Sequence, residues 1–164
     1  MPELEAHAGS VDVVTDSPAR TRQLGEHIGR LIQPGDLICL SGELGAGKTT
    51  LATGIGHGWG AVEVVTSPTF VFVNEYTRPD GNCLYHVDAY RLKDAADAES
   101  IALTDLLSDT NGAVLIEWPE RVKAYLPETR LWIELMWESD QVRRIRAYGT
   151  GARYDVFVEA VSQA

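Results

Sequence analysis

The chain has 164 residues, 45% of them hydrophobic and 23% charged, with 24 acidic against 14 basic side chains and a formal net charge of −10. That length and balance predict one globular domain over residues 1–164, large enough for a sizeable core. The acidity argues against a broad nucleic-acid face, which needs a basic patch, though a small local one is not excluded. No run approaches the length of a membrane span. The opening "MPELEAHAGS" lacks the apolar centre of a signal peptide, so the expected location is cytoplasmic. Cys39 and Cys83 each fall in a strand-like run and read as reduced core thiols.

In chain order, "VDVVT" (11–15) is a short strand candidate. "DSP" follows with an N-cap and a proline suited to the first helical position. Leu24, Ile28, Leu31 and Ile32 then recur at helical spacing, and "QPGD" stops that helix. "LICLS" (37–41) reads as a buried strand. A helix is predicted from about Lys48 to His57, although Gly54, Gly56, Gly58 and Gly60 make it poor on propensity and imply close packing or movement. "PTFVFVNEY" (68–76) and "NCLYHVD" (82–88) flank "TRPDG", a hairpin signal. "DAADAESIALTDLL" (94–107) looks helical and "AVLIEW" (113–118) is another buried strand. "RLWIELMWE" (130–138) and "RRIRAYG" (143–149) suggest a second hairpin, and "YDVFVEAVSQA" closes the chain as a helix or a strand. Strands alternating with helices predict an α/β fold with helices packed on a sheet.

Between the strand at 37–41 and the helix at 48 lies "GELGAGKTT" (42–50). Gly42, Gly47, Lys48 and Thr49 satisfy G-x-x-x-x-G-K-[ST] in the strand-to-helix context that the motif requires. A phosphate chain needs several N–H donors converging on it, and residues tolerant of positive φ, here Gly42, Gly45 and Gly47, can turn the backbone inward. The helix start adds partial positive charge. Lys48 is expected to reach the β- and γ-phosphates and the Thr49 hydroxyl to bind Mg²⁺. Such a site needs a strand-end acid, and two qualify: Asp88 after "LYHV" and Glu117 after "AVLI". "VVTSPTF" (64–70) stands where a loop that senses the γ-phosphate is expected, with Thr66, Ser67 and Thr69 as hydroxyl donors around Pro68. Trp59, Trp132 and Trp137 read as core or interface anchors, and His57 and His86 as structural.

"GELGAGKTTLATGIGHGWG", "VTSPTF", "LYHVDAYRL" and "IEWPER" follow one another in an order and spacing that resemble the TsaE family, small bacterial P-loop ATPases needed for making N6-threonylcarbamoyladenosine in tRNA. The resemblance covers most of residues 15–150. It implies a P-loop NTPase-like three-layer α/β sandwich with a mixed sheet and antiparallel hairpins. It implies ATP or ADP with Mg²⁺ as cofactors, cradled by Gly45, Ala46, Gly47, Lys48, Thr49 and Thr50. Thr49 and Glu117 match magnesium positions, Asp88 an acid near the metal or the attacking water, and Trp118 a tryptophan beside the metal-site acid. The segment 66–69 is similar to a first switch loop. Arg143 falls loosely where the family has a nucleotide-contacting arginine, and residues 15–21 loosely near the adenine. Two departures stand out: Glu43 replaces a more usual aspartate, and "ESIALTDLL" lacks a glycine often present there, so a local turn is expected to differ. The implied role is slow ATP hydrolysis as a nucleotide-dependent partner of TsaB and TsaD, which would hold the tRNA, with no DNA or membrane involved. A small-molecule kinase and a non-hydrolysing nucleotide-binding regulator remain the alternatives.

Overall fold

A computed structural model of the chain describes residues 9–66, 68, 72–100 and 102–164. Strand β1 spans Val11–Thr15 and helix α1 Pro18–Leu31. Ser17 caps α1: its hydroxyl accepts from the Arg20 amide at 3.2 Å, and Pro18 takes the first turn, where a missing N–H costs nothing. Strand β2 (Leu37–Ser41) leads into helix α2 (Lys48–Trp59), two residues longer than the sequence reading. Strands β3 (Val73–Thr77) and β4 (Cys83–Asp88) form the first hairpin. Strand β3 is shorter than the expected 68–76, and of that expectation residues 69–71 lie outside the described residues.

The helix expected over 94–107 is instead two, α3 (Ala95–Ser100) and α4 (Leu103–Ser108), separated where Ala102 adopts a left-handed φ of 53°. This stretch, "ESIALTDLL", has no glycine, and its turn falls on an alanine instead. Strand β5 covers Gly112–Glu117, and Trp118 steps out of it with φ 60°. Strands β6 (Arg130–Trp137) and β7 (Arg143–Thr150) form the second hairpin, and the C-terminal segment resolves as a helix, α5 (Asp155–Ser162).

The seven strands make one mixed sheet in the order β1-β7-β6-β2-β5-β4-β3. Its centre is parallel, with β2 between β6 and β5 and β4 beside β5, and its outer pairs are antiparallel. One face carries Ile38, Leu40, Leu115 and Ile133 against Leu24, Ile28, Leu51 and Ile55 of α1 and α2 and Phe157 of α5. The other carries Cys39, Val114 and Ile116 against Leu103, Leu92 and Val122. The result is the three-layer α/β sandwich anticipated from the sequence. Trp59 and Trp132 are buried in these layers, whereas Trp137 is 59% exposed. Both cysteines are free, Cys39 buried and Cys83 partly so. Among the described residues no helix is long and apolar enough to cross a membrane.

Helices α1 and α2 touch backbone to backbone. A Cβ at Gly25, Gly29, Gly54 or Gly58 would land on a carbonyl oxygen of the facing helix: Leu51, Ile55, Arg22 and Glu26 respectively. The poor helix propensity of α2 therefore reflects close packing. This contact braces α2 from behind, so that its first turn stays aimed over the end of β2.

Candidate functional site

The loop from Gly42 to Gly47 joins the carboxyl end of β2 to the start of α2. Gly42, Gly45 and Gly47 all take positive φ, at 146°, 79° and 101°. A Cβ at Gly42 would meet the Leu135 carbonyl oxygen at 2.6 Å, so the loop lies flat against β6 only because that residue is glycine. The first-turn amides of α2 have no helical acceptors and point out of the helix end.

Lys48 is 7% exposed. Its ammonium donates to the carbonyls of Gly42 and of Glu43, the latter at 2.8 Å, and lies 4.1 Å above the centre of the Trp118 ring. Burial holds its pKa below the ordinary lysine value, and the carboxylates of Glu117, Glu120, Asp88 and Glu43 oppose that shift. Trp118 in turn packs on Tyr90, with ring centres 4.8 Å apart.

Parallel pairing places Asp88 directly beside Glu117 at the ends of β4 and β5. Glu117 is 3% exposed, and its Oε2 lies 3.2 Å from Nε2 of His86, which is 1% exposed. Asp88 accepts from the Tyr90 amide at 2.9 Å through Oδ1. From the opposite side, Arg143 at the start of β7 reaches over the loop and donates to the Gly45 carbonyl at 3.2 Å and to the Ser139 carbonyl at 2.6 Å. Among the described residues, Arg143 Nε and His86 Nδ1 are the buried side-chain nitrogens without a hydrogen-bond partner.

Leu44, Gly45, Gly47, Lys48, Thr49, Thr50, Asp88, Tyr90, Glu117, Trp118 and Arg143 thus surround one cleft of about 480 Å³. It sits above the carboxyl ends of the parallel strands, where open α/β sheets hold ligands. Pro18 and Thr21 adjoin it in a smaller pocket shared with Gly47, Thr50, Gln141 and Arg143. A groove of about 520 Å³ between β1, α1 and the C-terminal residues has neither a glycine nor a lysine among its lining residues.

The donors in the cleft suit a phosphate chain with a hard cation. They combine inward-turning loop backbone, one buried lysine, a hydroxyl and two carboxylates, with the unpartnered Nε of Arg143 beside Gly47. A family model described as threonylcarbamoyl adenosine biosynthesis protein TsaE matches residues 15–145. The chain belongs to the TsaE family.

It is similar to the tRNA threonylcarbamoyladenosine biosynthesis protein TsaE of Bacillus subtilis, at 35% identity over 150 residues that cover 91% of this chain and 92% of that protein. The Streptomyces coelicolor protein of the same name is 42% identical over 139 residues, covering 81% of this chain and 93% of its own. The crystal structure of YdiB from Bacillus subtilis matches with a TM-score of 0.73 at 30% identity, over 94% of this chain and 95% of that one.

Within this TsaE fold, ten of the sequence-derived site residues behave as one group around the cleft or its loop: Gly42, Gly45, Gly47, Lys48, Thr49, Thr50, Asp88, Glu117, Trp118 and Arg143. Ala46 is buried beneath the loop. Thr66 is not among the cleft-lining residues. Its amide and carbonyl are bound to the Tyr76 hydroxyl, at 3.1 and 2.6 Å. Pro68 is buried, and Ser67 and Thr69 of that segment lie outside the described residues. Sequence reasoning missed Tyr90, Leu44 and His86. The signal for His86 was present: in "HVD" it lies two residues before Asp88, on the same face of a strand.

Proposed function

We propose that this chain works in tRNA threonylcarbamoyladenosine biosynthesis by binding ATP with Mg²⁺ in the cleft above β2, β4 and β5, hydrolysing it slowly, and engaging TsaB and TsaD according to which nucleotide is bound. One observation carries the reading. The glycine loop, Lys48, Thr49 and the side-by-side acids Asp88 and Glu117 face a single cleft at the helix start.

The roles follow from chemistry. Loop and first-turn amides donate to phosphate oxygens that no side chain shields. Lys48 carries three donors, two of which now rest on loop carbonyls, so reaching a γ-phosphate asks only for a short swing of its head. The Thr49 hydroxyl and the Glu117 carboxylate are the groups that would hold magnesium, and Asp88 is the acid next to it that would orient a water. Magnesium, when bound, neutralises charge on the phosphate oxygens as the transferring group separates. Arg143, anchored on the Gly45 carbonyl, would close the nucleotide in from the side of β7. The net charge of −10 supports leaving the tRNA to the partner proteins.

Titration calorimetry with ATP and Mg²⁺, followed by steady-state phosphate release with and without TsaB and TsaD, tests this. Wild type is expected to bind, Lys48→Ala to lose at least tenfold in affinity, and the slow release to change when partners are added. Equal affinity of the two chains would overturn the site. A fast release that partners leave unchanged would favour a self-sufficient enzyme such as a kinase.

A further inference from the structure

Glu117 has a role above, but the buried contact that His86 makes with it has none so far. It lies on the sheet face that α1 and α2 cover. Register pairs Asp88 with Glu117 and His86 with Leu115, and side chains alternate along strands, so His86, Asp88, Leu115 and Glu117 all project to that one face. Asp88 and Glu117 reach the cleft, whereas His86 stays one step below it, 1% exposed, with its ring 6.1 Å from the Tyr76 ring.

An aliphatic side chain would fill this position as well, and the core around it is otherwise apolar: Leu84, Ala113 and Leu115 are fully buried neighbours on the same face. What the imidazole adds is one hydrogen bond, from Nε2 to Glu117 Oε2 at 3.2 Å. The bond forms in the tautomer whose hydrogen sits on Nε2, with the Glu117 oxygen as acceptor. The other nitrogen, Nδ1, is buried without a partner, which costs least when it holds a lone pair and no hydrogen. Oε2 is thereby held from inside the core, and Oε1 is the oxygen left to the cleft.

We infer that His86 is a positioning residue: it fixes the Glu117 carboxylate, from beneath, in the orientation in which Oε1 faces the cation-binding end of the cleft. The inference rests on the reading that the cleft takes a nucleotide with Mg²⁺. The physics is that of any ligand held by its neighbour. A buried carboxylate with a free torsion spends part of its time turned away, and a donor on one oxygen removes that freedom before the cation arrives.

The test compares wild type with His86→Leu, which keeps an apolar filling and loses the donor, and His86→Gln, whose amide restores an N–H near the Nε2 position. Calorimetry measures ADP affinity in Mg²⁺ and in EDTA. In wild type, Mg²⁺ is expected to tighten binding. In His86→Leu the Mg²⁺ concentration needed for that tightening rises about tenfold or more, with affinity in EDTA unchanged, and His86→Gln recovers most of the loss. In turnover, kcat falls more than KM rises. A His86→Leu chain whose Mg²⁺ dependence stays within about twofold of wild type overturns the inference and leaves the nucleotide reading intact. A wild type that binds no nucleotide in either buffer overturns the reading, and the inference with it. Should His86→Leu fail to fold, long-range nitrogen–proton spectra of the wild-type ring decide: a hydrogen on Nε2 is expected, and a ring without one there overturns the inference.

Discussion

The seam between α1 and α2 and the turn that opens α2 both require residues without a side chain, but for opposite reasons. Gly54, in the seam, has ordinary helical backbone and no room: a Cβ there would land on the Arg22 carbonyl oxygen. Gly47, at the turn, has room and an unusual backbone: its φ is 101°, and the nearest atom to a Cβ would be Arg143 Nε at an unremarkable 3.5 Å. One glycine serves packing and the other serves conformation. The difference separates what holds the molecule together from what shapes its cleft, although Gly47 caps the helix that contains Gly54. The two roles should come apart on substitution.

The largest effect is expected in the seam. Gly54→Ala must push α1 off α2 along a contact where Gly25, Gly29 and Gly58 allow no slack either. Overpacking of this kind costs about 2–3 kcal/mol, or a Tm lowered by roughly 5–10 °C for a chain of this size. Thermal denaturation followed by circular dichroism measures it. The nucleotide affinity of the protein that stays folded should change little. An unchanged Tm would show that the seam can open without cost and would erase the distinction from the turn.

The turn should behave in reverse. Gly47→Ala finds space but holds an L-residue in the left-handed region, at about 1–2 kcal/mol. The loop can relieve that strain by rotating its amides away from the cleft. The expected result is an ATP affinity lower by roughly tenfold, the equivalent of about 1.4 kcal/mol, with Tm moved by only a few degrees. Calorimetry beside a melting curve on the same sample reads both. A variant that melts early and binds normally would place Gly47 with the packing glycines.

These contrasts also mark what a sequence can disclose. The phosphate loop was legible because its spacing is strict and its residue types are dictated by backbone geometry. The strand-end acids were legible because each closes an apolar run. The α1–α2 seam was half legible: the glycines of α2 signalled something other than propensity, but their partners on α1 appear only once the helices meet. The role of His86 depends on which residue of β5 lies beside it, and strand register is not written in either strand alone. The split between α3 and α4 escaped for another reason. The pattern of residues 94–107 is helical throughout, and an alanine gives no warning that it will take a left-handed φ.

That alanine gives the smallest effect and the sharpest check on the conformational half of the comparison. Trp118 and Ala102 are the described non-glycine residues with positive φ, at 60° and 53°. For Trp118 the strain comes with a gain, because the same turn lays its ring between the Lys48 ammonium and Tyr90. Ala102 has no such return: it is exposed, and its methyl group covers nothing in the core. It also stands at the N-cap of α4, with its carbonyl accepting from the Leu106 amide at 3.1 Å, and glycine is the better residue there. Ala102→Gly removes a conformational cost of about 1–2 kcal/mol, offset by roughly 0.4–1 kcal/mol for the added freedom of the unfolded chain. The expected net gain lies between about zero and roughly 1.6 kcal/mol, seen as a Tm raised by up to about 6 °C. ATP affinity should stay unchanged, since Ala102 does not line the cleft. A lowered Tm would mean that residue 102 leaves the left-handed region in solution, and the break between α3 and α4 would then need a cause other than the backbone angle at this position.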